Sequence, residues 1–477
     1  MASIPSLTNY EALAATCLVD AGVLNHKIKG LETSKTSSVD NNGPCTPQEV
    51  KKLQLRLFES AQALLQAVTP PEYTLTQSLS ASIMDLTAFR YISRWEVAKA
   101  VPTEGSVSYK SLATKLSVDE SQLRRVLRYA MTRQVFTETQ IGGVAHTAAS
   151  LLLVQGGIST LNRYSTDRGF PIASHFNEAL EKWGHGSQEP NETAFNVFKG
   201  TELAMFDYYE KNPAYATDFH QVMSFFTKTP PLSHDHIRRS FDWPSLAFST
   251  VVDVGGSLGH CSMAILEANP TLTCIVQDLP QIVTKATDPS TSIVPEHLCK
   301  RISFQAHSFW DPQPVTADVY FMRMIFHDWP AKYSKKILHA LLKGMRPGAR
   351  LLIMDYVTLP YGKLSLADER RMRIRDMQMM VMHNALERDE DEWRQLFAET
   401  DSRLRLVAIR TPPGSALSLI EVVLDAEVET SATEKTEVTV PERIEPFVPE
   451  KTETLGLEKL DEPLQPIVPQ QAVQMAA

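Results

Sequence analysis

His327 stands in RMIFHDWPAKY, residues 323–333, directly after an apolar run, Val319-Tyr320-Phe321-Met322, that reads as a strand. An imidazole with an ordinary pKa of about 6.5 can accept a proton from a hydroxyl near neutral pH. A carboxylate behind it would fix its tautomer and stabilise the imidazolium. Asp355 closes the next such run, Leu352-Ile353-Met354, so base and acid would meet at the carboxyl ends of neighbouring strands. Taken alone, His327 also reads as a satisfied histidine at a strand end. Asp328 reads as the N-cap of a helix with Ile337, Leu338, Leu341, Leu342 and Met345 on one face, and is left out of the chemistry.

A second constellation is the run Asp253-Val254-Gly255-Gly256-Ser257-Leu258-Gly259, between an apolar strand and the helical stretch HCSMAILEAN. Glycines there let a ligand approach the backbone closely, and helix amides point at whatever is bound. The dinucleotide fingerprint GxGxxG is absent. Asp278, in Gln277-Asp278-Leu279-Pro280, follows Gly259 by nineteen residues at the end of the next strand, where an acid can hold ribose hydroxyls. Together the two features point to a nucleoside ligand.

These residues need a frame. From residue 250, apolar runs alternate with helical patterns: STVVDVGG, LTCIVQDLP, RISFQAHSF, ADVYFMRMIF and GARLLIMDYVTL. That alternation predicts parallel strands with crossover helices on both faces. LRLVAIRTP and LSLIEVVLDAE, joined by PPGSA, add an antiparallel hairpin and bring the strands to seven. Upstream, residues 85–147 read as helices followed by a hairpin, VFTETQIGGVAHT, around Gly142-Gly143: the outline of a winged helix. Ser117-Val118-Asp119-Glu120 reads as a capping box opening SQLRRVLRYAMTRQV. Arg124, Arg125, Arg128 and Arg133 on that helix would suit DNA phosphates, but equally form a solvated face. Thr46-Pro47-Gln48-Glu49 starts an earlier helix carrying Leu53, Leu57, Leu64, Leu65 and Val68.

The bulk numbers suit a globular chain of 477 residues, 43% apolar and 22% charged, in two or three domains, without a membrane-length apolar run or a signal-peptide pattern. Its five cysteines have no metal-ligand spacing and read as reduced thiols. The formal charge of −9 is concentrated at the end: eleven acids against four basic residues from Glu427 onward leave the rest of the chain nearly neutral. Proline-rich and poor in aromatics, that tail reads as disordered, and residues 33–45 read as a loop.

The motifs VVDVGGSLGH, then DLP, then HDW after the fourth strand of the α/β part resemble class I S-adenosylmethionine-dependent O-methyltransferases. The resemblance is to the caffeate-type and fungal secondary-metabolite group, over roughly residues 85–425. It implies a Rossmann-like seven-stranded α/β sheet behind an N-terminal helical, winged-helix-like dimerisation domain. The domains would be residues 1–165 for dimerisation, 166–245 as a helical connection, 246–426 for cofactor binding and catalysis, and 427–477 as tail. S-adenosylmethionine would meet Gly255 at its methionine part, Asp278 at its ribose, Ser308 and Phe309 at its adenine, and Arg323 nearby. Ser257 and Ser308 depart from the family's glycine and aspartate.

In such an enzyme the task left to the protein is to take the proton from a phenol, whose pKa of about 10 makes it a poor nucleophile at neutral pH. The resemblance assigns His327 as general base with Asp355, where glutamate is usual, and Glu387, within HNALERDEDEW, as flanking acids. It assigns Phe219, Met223, Met380 and Asn384 to the substrate pocket. The implied protein is a cytoplasmic homodimer methylating a hydroxyl of an aromatic, polyketide-like or phenolic metabolite, with no metal, nucleic acid or membrane partner. No clustered histidine and carboxylate motif of metal-ligand type is visible in the sequence. Methylation at nitrogen, or a winged-helix DNA regulator with a cofactor-sensing domain, stay open as alternatives at this stage.

Overall fold

The computed structural model describes residues 9–34, 47–246 and 248–427. The acidic tail beyond Glu427, Thr46 of the first expected capping box and most of the expected 33–45 loop, with Cys45, lie outside the described residues.

Seven strands form one sheet: β4 (Thr250–Val254), β5 (Thr273–Asp278), β6 (Ile302–Ala306), β7 (Val319–Arg323), β8 (Arg350–Asp355), β9 (Leu404–Arg410) and β10 (Ser418–Leu424). Their spatial order is β6-β5-β4-β7-β8-β10-β9. The first five are parallel, and β10 pairs antiparallel with both β8 and β9. Chain order reverses at β4, where β5 and β7 lie on either side, the place at which doubly wound sheets take ligands beyond their carboxyl ends. The Gly255–Gly259 loop leaves β4, and the His327 turn leaves β7.

Both faces are covered, as the apolar runs require. Alternate residues of β7 point opposite ways: Val319 and Phe321 join a cluster with Ile265, Leu266 and Trp243, while Tyr320 and Met322 join one with Ile337, Leu338 and Trp393. Helix His260–Ala268 and the 3-10 turn Trp243–Ser245, on one side, and helices Ala331–Leu342 and Glu390–Thr400, on the other, supply these partners. Truncating a buried aromatic such as Trp243 or Phe321 to alanine costs about 3–5 kcal/mol, so this double packing holds the strand ends in register.

The N-terminal part carries a small sheet, β1 (Val107–Ser108), β2 (Thr137–Glu138) and β3 (Gly143–Ala145), in the order β1-β3-β2. The expected hairpin is β2–β3; β1, two residues long, gave no sequence signal. Leu123 and Leu127 of helix Glu120–Met131 pack with Leu112, Phe136 and Val144. The second capping box is misplaced: Ser117 ends the preceding helix in a left-handed conformation, and Asp119 caps the next by accepting the N–H of Gln122. Two helices share the segment, and the residue that must adopt positive φ cannot also be the extended N-cap.

Three arginines considered for DNA phosphates are committed locally. Arg124 pairs with Glu120, Arg128 with Glu138 at 2.9 Å, and Arg133 with Asp85. Helix Pro47–Val68 begins at Pro47 as expected and packs on helix Tyr10–Ser34. Leu18, Val19, Phe58 and Leu65 of this pair remain exposed. All four described cysteines are free thiols. No helix among the described residues is long and apolar enough to cross a membrane.

Candidate active site

His327 lies in a single 3-10 turn, Phe326–Asp328, after β7. Met324, at its entrance, is held at φ 54°, a left-handed conformation costly for a non-glycine residue and common where a site imposes it. The turn is anchored from below. Phe326 is fully buried against Trp393, and Arg388 donates to the carbonyls of Phe326 (2.9 Å) and Trp329 (2.7 Å) and to Ser334 Oγ (3.0 Å).

His327 is 8% exposed, and three carboxyl groups from three chain segments surround it. Nδ1 lies 3.1 Å from Glu387 Oε1. A carboxylate there can only accept, so the proton belongs on Nδ1. Asp355 Oδ1 is 4.0 Å from Nδ1; its tighter bonds accept the backbone N–H groups of His327 (3.2 Å) and Tyr356 (3.0 Å). Glu387 therefore orients the ring, whereas Asp355 fixes the backbone beneath it.

Asp328 overturns its assignment as a helix cap. Helix Ala331–Leu342 has extended Pro330 at its N-cap, and Asp328 belongs to the preceding turn, with Oδ1 3.7 Å from His327 Nε2. Proline has fixed the helix start, so the aspartate is free to face the site.

Burial alone would lower the pKa of His327, but Asp328, Asp355 and Glu387 outweigh it and push it up to about 10. Burial in turn raises Asp328 and Asp355 to about 6. His327 is thus expected to lose its proton well above pH 7, and replacing Glu387 with Gln to move that titration down. Histidine NMR, with His327→Ala to assign the signal, checks this; a titration near the ordinary 6.5 would contradict it.

These side chains also correct the sequence reading that no clustered histidine and carboxylates exist. Donor atoms of His327, Asp355 and Glu387 lie within 4.8 Å of one another, a donor set that suits a divalent cation as well as an imidazole with its acids. Separations of 28 and 60 residues hid it.

The glycine loop adjoins this turn. A Cβ on Gly255 (φ +72°) would meet Ile325 Cδ1 at 2.8 Å, and one on Gly256 would meet Asp253 at 2.6 Å and Val276 at 2.8 Å. Ser257, where the family pattern has glycine, sits at φ 53° and donates its backbone N–H to Asp278 Oδ2 at 2.8 Å. Because a left-handed serine is strained and the bond uses only backbone, Ser257→Gly is expected to stabilise the fold by about 1 kcal/mol in urea unfolding. A destabilised variant would contradict that reading.

Asp278 Oδ1 accepts the N–H of Leu279, also at 2.8 Å, and both oxygens keep lone pairs for ligand hydroxyls. Burial raises this carboxyl while the two N–H groups oppose the rise. Arg323 donates to the carbonyl of Leu232 at 2.8 Å, but its buried Nε has no hydrogen bond among the described residues. Beside it His234 and His260 stack at 5.4 Å; burial, with nearby cations, lowers both. Neither was marked by the sequence. Phe309 is half-buried against Trp310 and Trp329, and Ser308 Oγ accepts the N–H of Trp310 at 3.3 Å.

The predicted substrate residues separate. Phe219 joins an aromatic group with Tyr164, Phe206 and Tyr209, and Phe206 continues to Trp329 and His383 near His327. Met223 is half-buried on the same helix, Pro213–Thr227. Met380 is 39% exposed, while Met382, on the opposite side of helix Leu366–His383, packs into the aromatic cluster. Asn384 ends that helix at φ 52° and donates to the carbonyls of Glu189 and Glu192, both at 3.0 Å, so its N–H groups tether a loop. Phe206 and His383 escaped the sequence reading because they come from segments far from the turn that carries Asp328 and Trp329, whose place beside His327 the sequence did not mark.

A doubly wound sheet with a glycine loop, an acid at the end of the next strand and a buried histidine among carboxyl groups is the arrangement expected of a nucleoside-cofactor transferase of methyltransferase type. The O-methyltransferase domain profile matches residues 181–401 and the O-methyltransferase dimerisation domain residues 77–156. O-methyltransferase VdtC of Byssochlamys spectabilis is 37% identical over 383 residues, covering 80% of this chain and 88% of that protein. O-methyltransferase bik3 of Gibberella fujikuroi is 35% identical over 398 residues, covering 82% and 86%. Among solved structures, OxaC in complex with SAH and oxaline has the same fold, with a TM-score of 0.66 at 20% identity over 85% of this chain and 100% of that one.

The chain belongs to the O-methyltransferase family and is an S-adenosylmethionine-dependent O-methyltransferase of secondary metabolism. Its winged-helix region is the family's dimerisation domain, and the enzyme is a homodimer.

Proposed function

We propose that the enzyme methylates a hydroxyl on an aromatic, phenolic or polyketide-like metabolite, with His327 as general base. The observation that carries this reading is the Nδ1 contact of His327 with Glu387 at 3.1 Å. It leaves Nε2 as the proton-accepting atom, on the side of Asp328 and the aromatic group around Phe206.

The residues present fit S-adenosylmethionine. Gly255 and Gly256 let the loop pack tightly on Ile325, Asp253 and Val276 at the end of β4, and the buried Nε of Arg323, without a hydrogen bond among the described residues, calls for an acceptor such as a carboxylate. Asp278 would hold the ribose, Phe309 and Ser308 the adenine, Gly255 and Arg323 the methionine part. When bound, the cofactor supplies a methyl group already activated on sulfonium sulfur. What His327 adds is a place for the phenol's proton. With its pKa pushed up to about 10, His327 acts as base only in the fraction of sites whose Nε2 is unprotonated, a fraction that rises with pH; in that form transfer from a phenol of about 10 is close to thermoneutral, so the acceptor oxygen carries phenolate character when it forms its new bond to carbon. Glu387 holds the ring in orientation and Asp355 holds its backbone, while Phe219, Phe206 and Met382 offer apolar and aromatic walls.

Residues 1–165, 166–245 and 246–426 then divide the work as dimerisation module, helical pocket wall and catalytic domain, and the cytoplasm is the proposed place of action. Incubating the purified enzyme with labelled cofactor and a panel of phenolic metabolites and aromatic amines tests the reading. Label is expected on phenolic oxygen; label on nitrogen only, or on aliphatic hydroxyls only, would overturn it.

A further inference from the structure

Arg90, Arg94, Arg163 and Arg168 line one cavity of about 320 Å³, together with only two acids, Asp167 and Asp218. The arginines come from helix Ser82–Arg94, from helix Gly157–Tyr164 and from the π turn Ser165–Gly169 that continues it, and Asp218 comes from helix Pro213–Thr227. Arg90 Nε donates to Asp167 Oδ1 at 3.0 Å, while Arg163 and Arg168 share Asp218, their Nη2 atoms 2.9 and 3.2 Å from its two oxygens. Arg168 Cζ lies 3.7 Å from the centre of the Tyr215 ring, which fixes the plane of that guanidinium. Arg94 has no ion pair among the described residues. Two carboxylates cannot offset four guanidinium groups, so the cavity keeps a net charge of +2 in a chain whose formal charge is −9. Arg90 and Arg94, four residues apart on one helix, repel each other, and π turns are rare and concentrate at functional sites. Such a gathering of cations costs stability unless an anion joins it.

We propose that this cavity is a binding site for a phosphate monoester. None of its lining residues belongs to the glycine loop or to the turn of His327, so it is a second site and not an extension of the first. Arginine forks match phosphate oxygens two at a time, and a monoester carries about −1.5 to −2 charges at pH 7, the complement of the cavity's excess. A single carboxylate would leave part of that excess unmet. The volume lies at the lower end of the range for small-molecule pockets, about 300–1,000 Å³, which leaves room for a small organic group beside the phosphate. Arg90 and Arg163 are 50% and 49% exposed, so a ligand can enter from solvent. Asp218 immediately precedes Phe219, and Arg163 precedes Tyr164, whose ring lies 6.4 Å from that of Phe219. The elements that would hold the phosphate therefore also carry part of the aromatic wall beside the catalytic turn.

Calorimetry on full-length enzyme saturated with S-adenosylhomocysteine, which keeps the probes out of the cofactor site, tests this with ribose 5-phosphate, inorganic phosphate and ribose at one ionic strength. Ribose 5-phosphate is expected to bind with a Kd below about 1 mM, and ribose not at all. Arg94→Gln, which leaves every ion pair of the cavity in place, should weaken that binding by about tenfold or more, and Arg94→Lys by less, since lysine keeps the charge without the fork. Inorganic phosphate bound as tightly as the ester would mean that the phosphate group alone is recognised; weaker binding would give the organic part a share, and either result agrees with the site. No binding of ribose 5-phosphate or inorganic phosphate up to about 10 mM, ribose bound as well as its phosphate, or a Kd unchanged in Arg94→Gln overturns the proposal. Binding of S-adenosylhomocysteine reports that each variant is folded.

Discussion

His327→Ala is expected to lower kcat by about 10²–10⁴-fold on a phenol while binding of S-adenosylhomocysteine stays unchanged. The separation follows from placement. Gly255, Asp278 and Arg323 sit at the ends of β4, β5 and β7, and none of them hydrogen-bonds the His327 side chain. Alanine also leaves Asp328 and Asp355 without the neighbouring imidazolium, so their pKa values should rise further, as burial dictates when the opposing charge is gone. Single-turnover kinetics alongside calorimetry measure the two effects. Equal losses in turnover and in cofactor binding would instead make His327 a structural residue.

Arg388→Met is expected to destabilise the fold by about 3 kcal/mol and to take activity with it. The guanidinium is 2% exposed and serves two backbone carbonyls and Ser334, all belonging to the turn that carries His327 or to the helix after it. Methionine fills much of the volume but leaves two buried carbonyls short of donors, each costing about 1–3 kcal/mol. Arg388→Lys retains the charge without the fork and should recover only a part of the loss. Urea unfolding of the three proteins checks this; a methionine variant as stable as the natural enzyme would mean that the turn holds itself.

The sheet was legible because buried parallel strands are written as short apolar runs, and all seven runs from STVVDVGG to LSLIEVVLDAE became strands. The glycine loop and Asp278 were legible because their spacing is local to one strand–helix–strand unit. Local reasoning failed where two local rules competed. Asp328 has the chemistry of a cap, but Pro330 takes that position, and the aspartate turns to His327. Ser117 likewise yielded to Asp119. Among the methionines of DMQMMVMHN, composition could not tell Met380 from Met382; the helical phase decides, and it puts only Met382 in the cluster. The pairing of His383 with Asp328 and Phe206 was out of reach, since it joins residues from about 200 to nearly 400 with no motif between them.

The base assignment is tested most directly by comparing the natural enzyme with His327→Ala on ring-substituted phenols of falling pKa, from about 10 to below 7, at one pH. If His327 takes the phenol's proton, the alanine variant loses most on the least acidic acceptor, and the loss shrinks towards nothing on phenols already ionised in solution. A loss of the same size across the whole series would contradict the account and leave His327 a group that only positions the substrate.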